Sequence, residues 1–280
     1  MTNFEVACGS VIGKDHISNG KVLVGRNNQD AYAVRQTDDL IVAIVCDGCG
    51  SGKHSEVGAW LGANMIASAL TSRAGRSGEF RAVLERVRRD VLAIIRTQAN
   101  ILGGSFSRVI NDYFLFTIVG VIIDGFAAHV FSIGDGAYAL RFVTGSPDEF
   151  CSLGPFPDNS PPYLAYDLVE TSIDPVLLRF NMERSLAVGA VDGVVIGSDG
   201  LYDLEGAFGA LIPGSEERVG LFEQFWDDDN YFTNPEALGR KLRRMNSDVV
   251  RVDKTTGRKI IHPRLLADDT TLVAIRRRKS

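Results

Sequence analysis

Little in this sequence invites a disulfide, a membrane or a nucleic acid. Only four cysteines fall among 280 residues, too few for a disulfide framework. No apolar run approaches the roughly 20 residues that a membrane helix needs, and the start, MTNFEVACGSVIGKDH, lacks a basic segment followed by an apolar core. These absences set the expectation of a cytoplasmic protein with no membrane partner. Basic excess is missing too: 30 Lys and Arg against 35 Asp and Glu give a net charge of −5, so no global positive field draws the chain to nucleic acid. The one basic run, the terminal RRRKS, reads as a solvated tail. Internal repeats and low-complexity linkers are also absent. With 45% apolar and 23% charged residues the chain can bury a full core, and one domain over 1–280 is expected.

What is present is concentrated in IVAIVCDGCGSGKHSEVGAW, residues 41–60. An apolar strand-like run meets an acid, glycines, two cysteines, a lysine and a histidine. Four chemistries use such residues: a phosphate cradle, a zinc knuckle, a thiol redox pair and a metal-binding carboxylate. A phosphate loop of the form GxxxxGK[ST] fails at both ends, since Asp47 stands five before Gly52 and His54 follows Lys53. Cys46 and Cys49 form a CxxC, yet Cys8 and Cys151 are solitary, so a structural zinc would need distant histidines. A redox pair opens a helix, whereas Cys46 ends a strand-like run. Asp47 is left as the chemical group.

Asp47 has company. AAHVFSIGDG contains Asp135, GVVIGSDG contains Asp199, and LLADDTTLVAI places Asp268 and Asp269 before an apolar strand. Strands that stop at one sheet edge can aim several acids into one cleft. Clustered carboxylates repel and are held together by cations, and oxygen-only ligands suit Mg2+ and Mn2+ rather than zinc. Against this stands a plainer origin, because Asp-Gly after an apolar run commonly makes a hairpin turn. GVIIDGFAAHVF, around Asp124, has that form.

Taken in order, these segments resemble the metal-dependent protein phosphatases, the type 2C or PPM family, over nearly the whole chain. RNNQDAYAV, DGCGSG, SIGDGAYAL, SDGLYDL and DDTT match the five family motifs in sequence. DHISNG and GSGKHSEVGA are closest to a bacterial branch. The resemblance implies a protein serine/threonine phosphatase in which a hydroxide bridging two Mn2+ or Mg2+ ions attacks a phosphomonoester directly. Asp47 would bridge the ions, the Gly48 carbonyl would help bind one, and Asp199 and Asp268 would complete the other. Asp135 and Asp203 stand where the family binds a third ion. Asp30 and Gln29 stand behind these, Asp30 supporting a metal-bound water. Implied partners are phosphorylated proteins, among them a serine/threonine kinase or its targets.

The match departs from the family in four places, one of them the strand YFLFTIVGVI, which stands where the family has small residues. Gln29 replaces a common glutamate. The usual phosphate-binding arginine is displaced: Gly25 holds its place and Arg26 follows, leaving Arg26, Lys53 and His54 as candidate phosphate ligands. Cys49 occupies the position of the animal members' general-acid histidine, for which His54 or His16 would substitute. These departures sustain an alternative reading, a catalytically weak relative that binds phosphoproteins or a partner.

Periodicity agrees with the family fold, an α+β protein with a central antiparallel β-sandwich flanked by pairs of helices in four αββα layers. Strand-like runs fall near 4–12, 30–35, 40–46, 114–123, 126–133, 137–143, 193–198 and 271–276, with short turns that favour antiparallel pairing. Helical spacing marks 55–70, 79–99, 216–226 and 235–246. Residues 145–182, rich in Pro, Gly and Asp, read as an irregular insertion in the place of the family's flap.

Overall fold

Two five-stranded antiparallel sheets carry the fold in the computed structural model, which describes residues 3–19, 22–23, 25–73, 79–252 and 257–279. Gly20 of the DHISNG segment and Ser280 of the basic tail lie outside the described residues. In chain order the sheet strands are β1 (Phe4–Val11), β2 (Asp30–Gln36), β3 (Ile41–Asp47), β4 (Ile118–Ile123), β5 (Ala127–Ile133), β6 (Ala137–Phe142), β7 (Glu149–Ser152), β8 (Asn181–Ala187), β9 (Val191–Gly197) and β10 (Thr270–Arg277). One sheet runs β1-β10-β9-β6-β7 and the other β8-β5-β4-β3-β2.

Strand alternation sorts the side chains into layers. In β3, Ile41, Ala43 and Val45 face the other sheet, where they meet Ile196, Val273 and Ile275. Val42, Ile44 and Cys46 face the opposite way, against α1 (Ser55–Thr71) and α2 (Phe80–Leu102). The period of two therefore makes β3 apolar on both faces, which is why it reads as an unbroken hydrophobic run. Helix α2 buries Val83, Leu84, Val87, Val91, Leu92 and Ile95, three and four residues apart, and the short α3 (Phe106–Tyr113) follows it. On the far side, α4 (Gly200–Gly206), α5 (Ala237–Met245) and the buried Phe225 and Trp226 cover the first sheet. The result is the expected four-layer αββα sandwich.

Some expectations need correction. Residues 216–226 are not one helix: Gly209 N donates to Val219 O and Ile212 N to Glu217 O, a tight reversal, and helical structure starts only at Gln224. Residues 114–117 precede β4, and they flank the acid turn, with Cys49 N donating to Leu115 O (2.9 Å) and Thr117 N to Asp47 O (2.8 Å). The RRRKS run is not wholly a solvated tail. Arg276 lies within β10, is buried, and bonds Glu5 through Nη2 at 2.6 Å. Segment 145–182 is less irregular than its composition suggests, since it contains β7 and a short 3₁₀ turn, Leu164–Leu168, that packs on α2.

Candidate metal-binding active site

The acids converge because the strands that carry them end at one rim of the sandwich. Asp47 is the last residue of β3 and pairs with Asp30, the first of β2. By alternation both side chains share the inter-sheet face, the side opposite Cys46 and Ala31. Asp135 sits in the turn between β5 and β6, Asp199 two residues beyond β9, and Asp268 two residues before β10. A cavity of about 340 Å³ is lined by Asp47, Gly48, Asp135, Asp199 and Asp268, with Gln29, His16 and Cys49 beside them. Ser160, Pro161, Tyr163 and Tyr166 of segment 145–182 form its other wall.

These carboxyls oppose one another. Burial first, then the negative charge of Asp30, Asp199, Asp135 and Asp268, pushes Asp47 well above the usual carboxylate range. Burial followed by Asp268 and Asp135 pushes Asp199 up to about 8. Asp30 is raised to about 7 by burial and then by Asp269, and Asp135 to about 6, chiefly by burial. Asp268 also rises, burial leading. A cavity that gathers this much unbalanced negative charge suits a cation.

A second observation points the same way. Asp135 and Gln29 are both more than nine-tenths buried, and Asp135 Oδ1 and Gln29 Oε1 have no hydrogen-bond partner although both residues line the cavity. Buried oxygens left without donors call for a ligand that accepts their lone pairs. The donor set, carboxylates with one amide oxygen and the Gly48 backbone, fits hard divalent cations.

The surrounding bonds fix the acids. Ser198 Oγ donates to Asp30 Oδ2 (2.6 Å) and accepts from Thr271 N (3.1 Å), which joins β2, β9 and β10 at the rim. Gln29 Nε2 donates to Ser55 Oγ (2.5 Å), and Gln29 N to Asp269 Oδ2 (2.5 Å). Asp203 holds the Asp268 loop, since its Oδ2 accepts from Ala267 N (2.6 Å) and Asp268 N (2.8 Å). Gly48 is required by packing, because a Cβ there would stand 2.8 Å from both Gln29 O and Ser55 O.

Other predicted residues are placed elsewhere. Arg26, Lys53 and His54 line an adjoining pocket of about 490 Å³, which shares Gln29, Gly50 and Ser51 with the acid cavity. Arg26 Nη1 donates to Gly50 O (3.1 Å), and His54 packs its ring 4.8 Å from that of Tyr113. Asp124 is a turn residue, its Oδ1 accepting from Phe126 N and Ala127 N. Sequence reading passed over Ser55, Ser198 and Tyr163. It also left Asp269 without a role; the DD doublet was its only visible signal.

The cysteines do not form a site. Cys46 is fully buried among the residues under α1, its thiol pushed well up by that burial, while Cys49 contacts Ser51 at 3.1 Å. Among the described residues, the one cluster of His, Cys, Asp and Glu donors compact enough to share an ion is His16, Asp268 and Asp269, without a cysteine. Purified protein is expected to carry no stoichiometric zinc, and Cys46→Ser to leave its metal content unchanged. One zinc per chain by elemental analysis, lost on mutating either cysteine, would overturn this.

A family model for protein phosphatase 2C matches residues 12–244. Solved structures agree on the fold. A serine-threonine phosphatase 2C from Toxoplasma gondii aligns with a TM-score of 0.60 at 12% identity, covering 98% of this chain and 95% of that one. The Mycobacterium tuberculosis serine/threonine phosphatase PstP/Ppp aligns at 0.54 and 17%, covering 99% of both chains. The serine/threonine phosphatase Stp1 from Staphylococcus aureus aligns at 0.50 and 12%, covering 99% and 96%. No curated protein matches the chain in sequence.

Proposed function

Because the chain belongs to the protein phosphatase 2C family, and so to the protein serine/threonine phosphatases, we propose that the acid cavity is where it hydrolyses phosphoserine and phosphothreonine in proteins. The observation that carries this reading is the convergence of Asp47, Asp135, Asp199 and Asp268 on one cavity that also holds unpartnered buried oxygens. Asp47, Gly48, Asp199 and Asp268 would hold two Mn2+ or Mg2+ ions, with Asp135 available to a third. Bound cations would supply an activated water and the positive charge that offsets the phosphoryl oxygens. Asp203 keeps the Asp268 loop in place through its two backbone bonds. Asp30, fixed by Ser198, and Gln29, fixed by Ser55, hold the polar floor and orient water there. Segment 145–182 acts as the flap of a single phosphatase domain, its Tyr163 and Tyr166 bordering the cavity and shielding it from bulk solvent.

The test is release of phosphate from a phosphothreonine peptide with and without Mn2+. Hydrolysis that needs the metal supports the reading. A folded protein that binds Mn2+ and the phosphopeptide without turning it over supports the alternative, a phosphoprotein-binding module, which Cys49 in the general-acid position favours.

The substrate phosphate also needs a cation from the chain. Arg26, in the adjoining pocket and bonded to the shared Gly50, can present a forked guanidinium to phosphate. Arg26→Ala is expected to lower kcat/KM for a phosphopeptide by about tenfold to a hundredfold, mostly through KM, with Arg26→Lys rescuing part. Should Arg26→Ala be silent while Lys53→Ala or His54→Ala shows that loss, the role passes to the latter. Unchanged kcat/KM in all three would leave phosphate binding to the metals.

A further inference from the structure

His16 lies in a segment that neither composition nor periodicity singles out, yet its backbone is built against the loop that carries Asp268. Lys14 N donates to Leu266 O (3.0 Å) and Asp15 N to Ala267 O (3.1 Å). Gly13 N donates to Asp269 Oδ1 (2.7 Å). Gly13 permits that approach, since a Cβ there would stand 2.4 Å from the Asp268 carbonyl carbon. The far end is tied as well, with Arg26 N donating to His16 O (3.0 Å). Four bonds thus seat one helical turn, Lys14–Ile17, beside the final acid motif.

The ring is placed accordingly. His16 Nδ1 lies 3.0 Å from Asp269 Oδ1, close enough for an ion pair but off the hydrogen-bond line. Nε2 lies 3.7 Å from Asp268 Oδ1, and His16 lines the acid cavity. Asp269 is buried and held by the amides of Gly13 and Gln29, so it forms a fixed support behind the ring. A carboxylate behind one ring nitrogen that leaves the other facing a second carboxylate is the arrangement of carboxylate-histidine metal sites. Adjacent donors on one six-coordinate ion with bonds of about 2.1 Å stand about 3 Å apart. The 3.7 Å between Nε2 and Asp268 Oδ1 is wider than that, so the ring would have to move toward Asp268 as the ion binds.

We propose that His16 is a nitrogen ligand of the cation held by Asp268, making this position a mixed imidazole-carboxylate site that takes Mn2+ in preference to Mg2+. The inference rests on the reading of the cavity as a divalent metal centre. Imidazole adds affinity for transition metals and little for Mg2+, which favours oxygen and retained water. Asp269 is a positioning residue that fixes the ring.

The test uses the full chain loaded with Mn2+ alone. Pulsed electron paramagnetic resonance should show the 14N coupling of a directly bound imidazole in the wild type. That coupling should persist in His54→Ala and vanish in His16→Asn and His16→Gln. Calorimetry should show Mn2+ affinity falling about tenfold or more in the His16 variants, with Mg2+ affinity changing by less than about threefold. If His16→Asn fails to fold, His16→Gln, which keeps the size and a polar end, decides. Mn2+ bound to the wild type without 14N coupling, or with coupling that survives in either folded variant, overturns the ligand role and leaves the metal centre standing. A wild type that binds no Mn2+ overturns both.

Discussion

Asp47→Ala and Asp199→Ala are each expected to lower metal-dependent phosphatase activity at least about a hundredfold while the protein stays folded, because on the proposed reading each removes a metal ligand and charge that no neighbour can replace. The fold is expected to survive because neither carboxylate supports it. Asp47 contributes to the rim through its backbone, its carbonyl accepting from Thr117 N (2.8 Å), and an alanine keeps that bond. Asp199 likewise accepts Tyr202 N at 2.7 Å through its carbonyl as α4 begins. Both carboxyls are raised far above the normal range by burial and by the acids around them, so removing one relieves repulsion in the metal-free protein. Melting temperatures without metal should therefore be equal to or above the wild type, and the increase on adding Mn2+ should shrink. Steady-state kinetics with saturating Mn2+, alongside those melts, reads both halves. Full activity in either folded variant would sink the two-ion assignment.

Much of this site was legible because a strand that ends in an acid is a local pattern. IVAIVCDG and GVVIGSDG each carry the apolar run, the stop and the acid within eight residues, and alternation then says that Asp47 and Cys46 face opposite ways. Solitary Cys8 and Cys151, and the place of Cys46 at the end of a strand-like run, set the CxxC aside, and the buried Cys46 sits where alternation puts it. Pairing across long separations left no such mark. Ser198 Oγ meets Asp30 across 168 positions and Thr271 N across 73, and a lone serine after a strand looks like any other. His16 and Asp269 come together only because Gly13 lets its segment lie on the Asp268 loop. The misread helix at 216–226 has a different cause. VGLFEQFW has helical spacing of apolar residues, but Val219 and Glu217 give their backbone groups to the reversal with Gly209, Ala210 and Ile212, so packing on the first sheet is met by a turn. The displaced Arg26 was visible as a shift of one residue. That the shift brings it to a pocket shared with Lys53 and His54 was not, since that depends on how the DGCGSGKHS turn folds back over Gln29.

Metal-free protein is expected to lose stability as pH rises from about 4 to about 8, and divalent cations are expected to restore it. In the unfolded chain these acids titrate near the ordinary 3.8, whereas in the folded protein Asp135 titrates at about 6, Asp30 at about 7 and Asp199 at about 8. Below the unfolded value both states are protonated and no stability is lost. As pH rises past it, the unfolded chain releases protons that the folded cavity keeps, so the folded state falls behind until its own acids ionise. The sign is opposite to that of a salt-bridged carboxylate, whose contribution is present at high pH and lost in acid. One pKa unit corresponds to about 1.4 kcal/mol, so a single shift of this size amounts to several kcal/mol, on the order of 10 °C in melting temperature for a chain of this length. A cation at the cavity favours the ionised acids, returns their pKa values toward or below normal, and binds only the folded state, so its stabilisation grows as pH rises. Thermal melts from pH 5 to pH 8, with chelator and with saturating Mn2+, should diverge, the chelated curve falling while the Mn2+ curve stays level or rises. In Asp199→Ala the chelated curve should flatten, since an acid raised to about 8 is gone. A chelated wild type whose melting temperature is constant or rises across that window would mean that the acids are ionised in the folded state without a cation, and the charge crowding assigned to the cavity would be wrong.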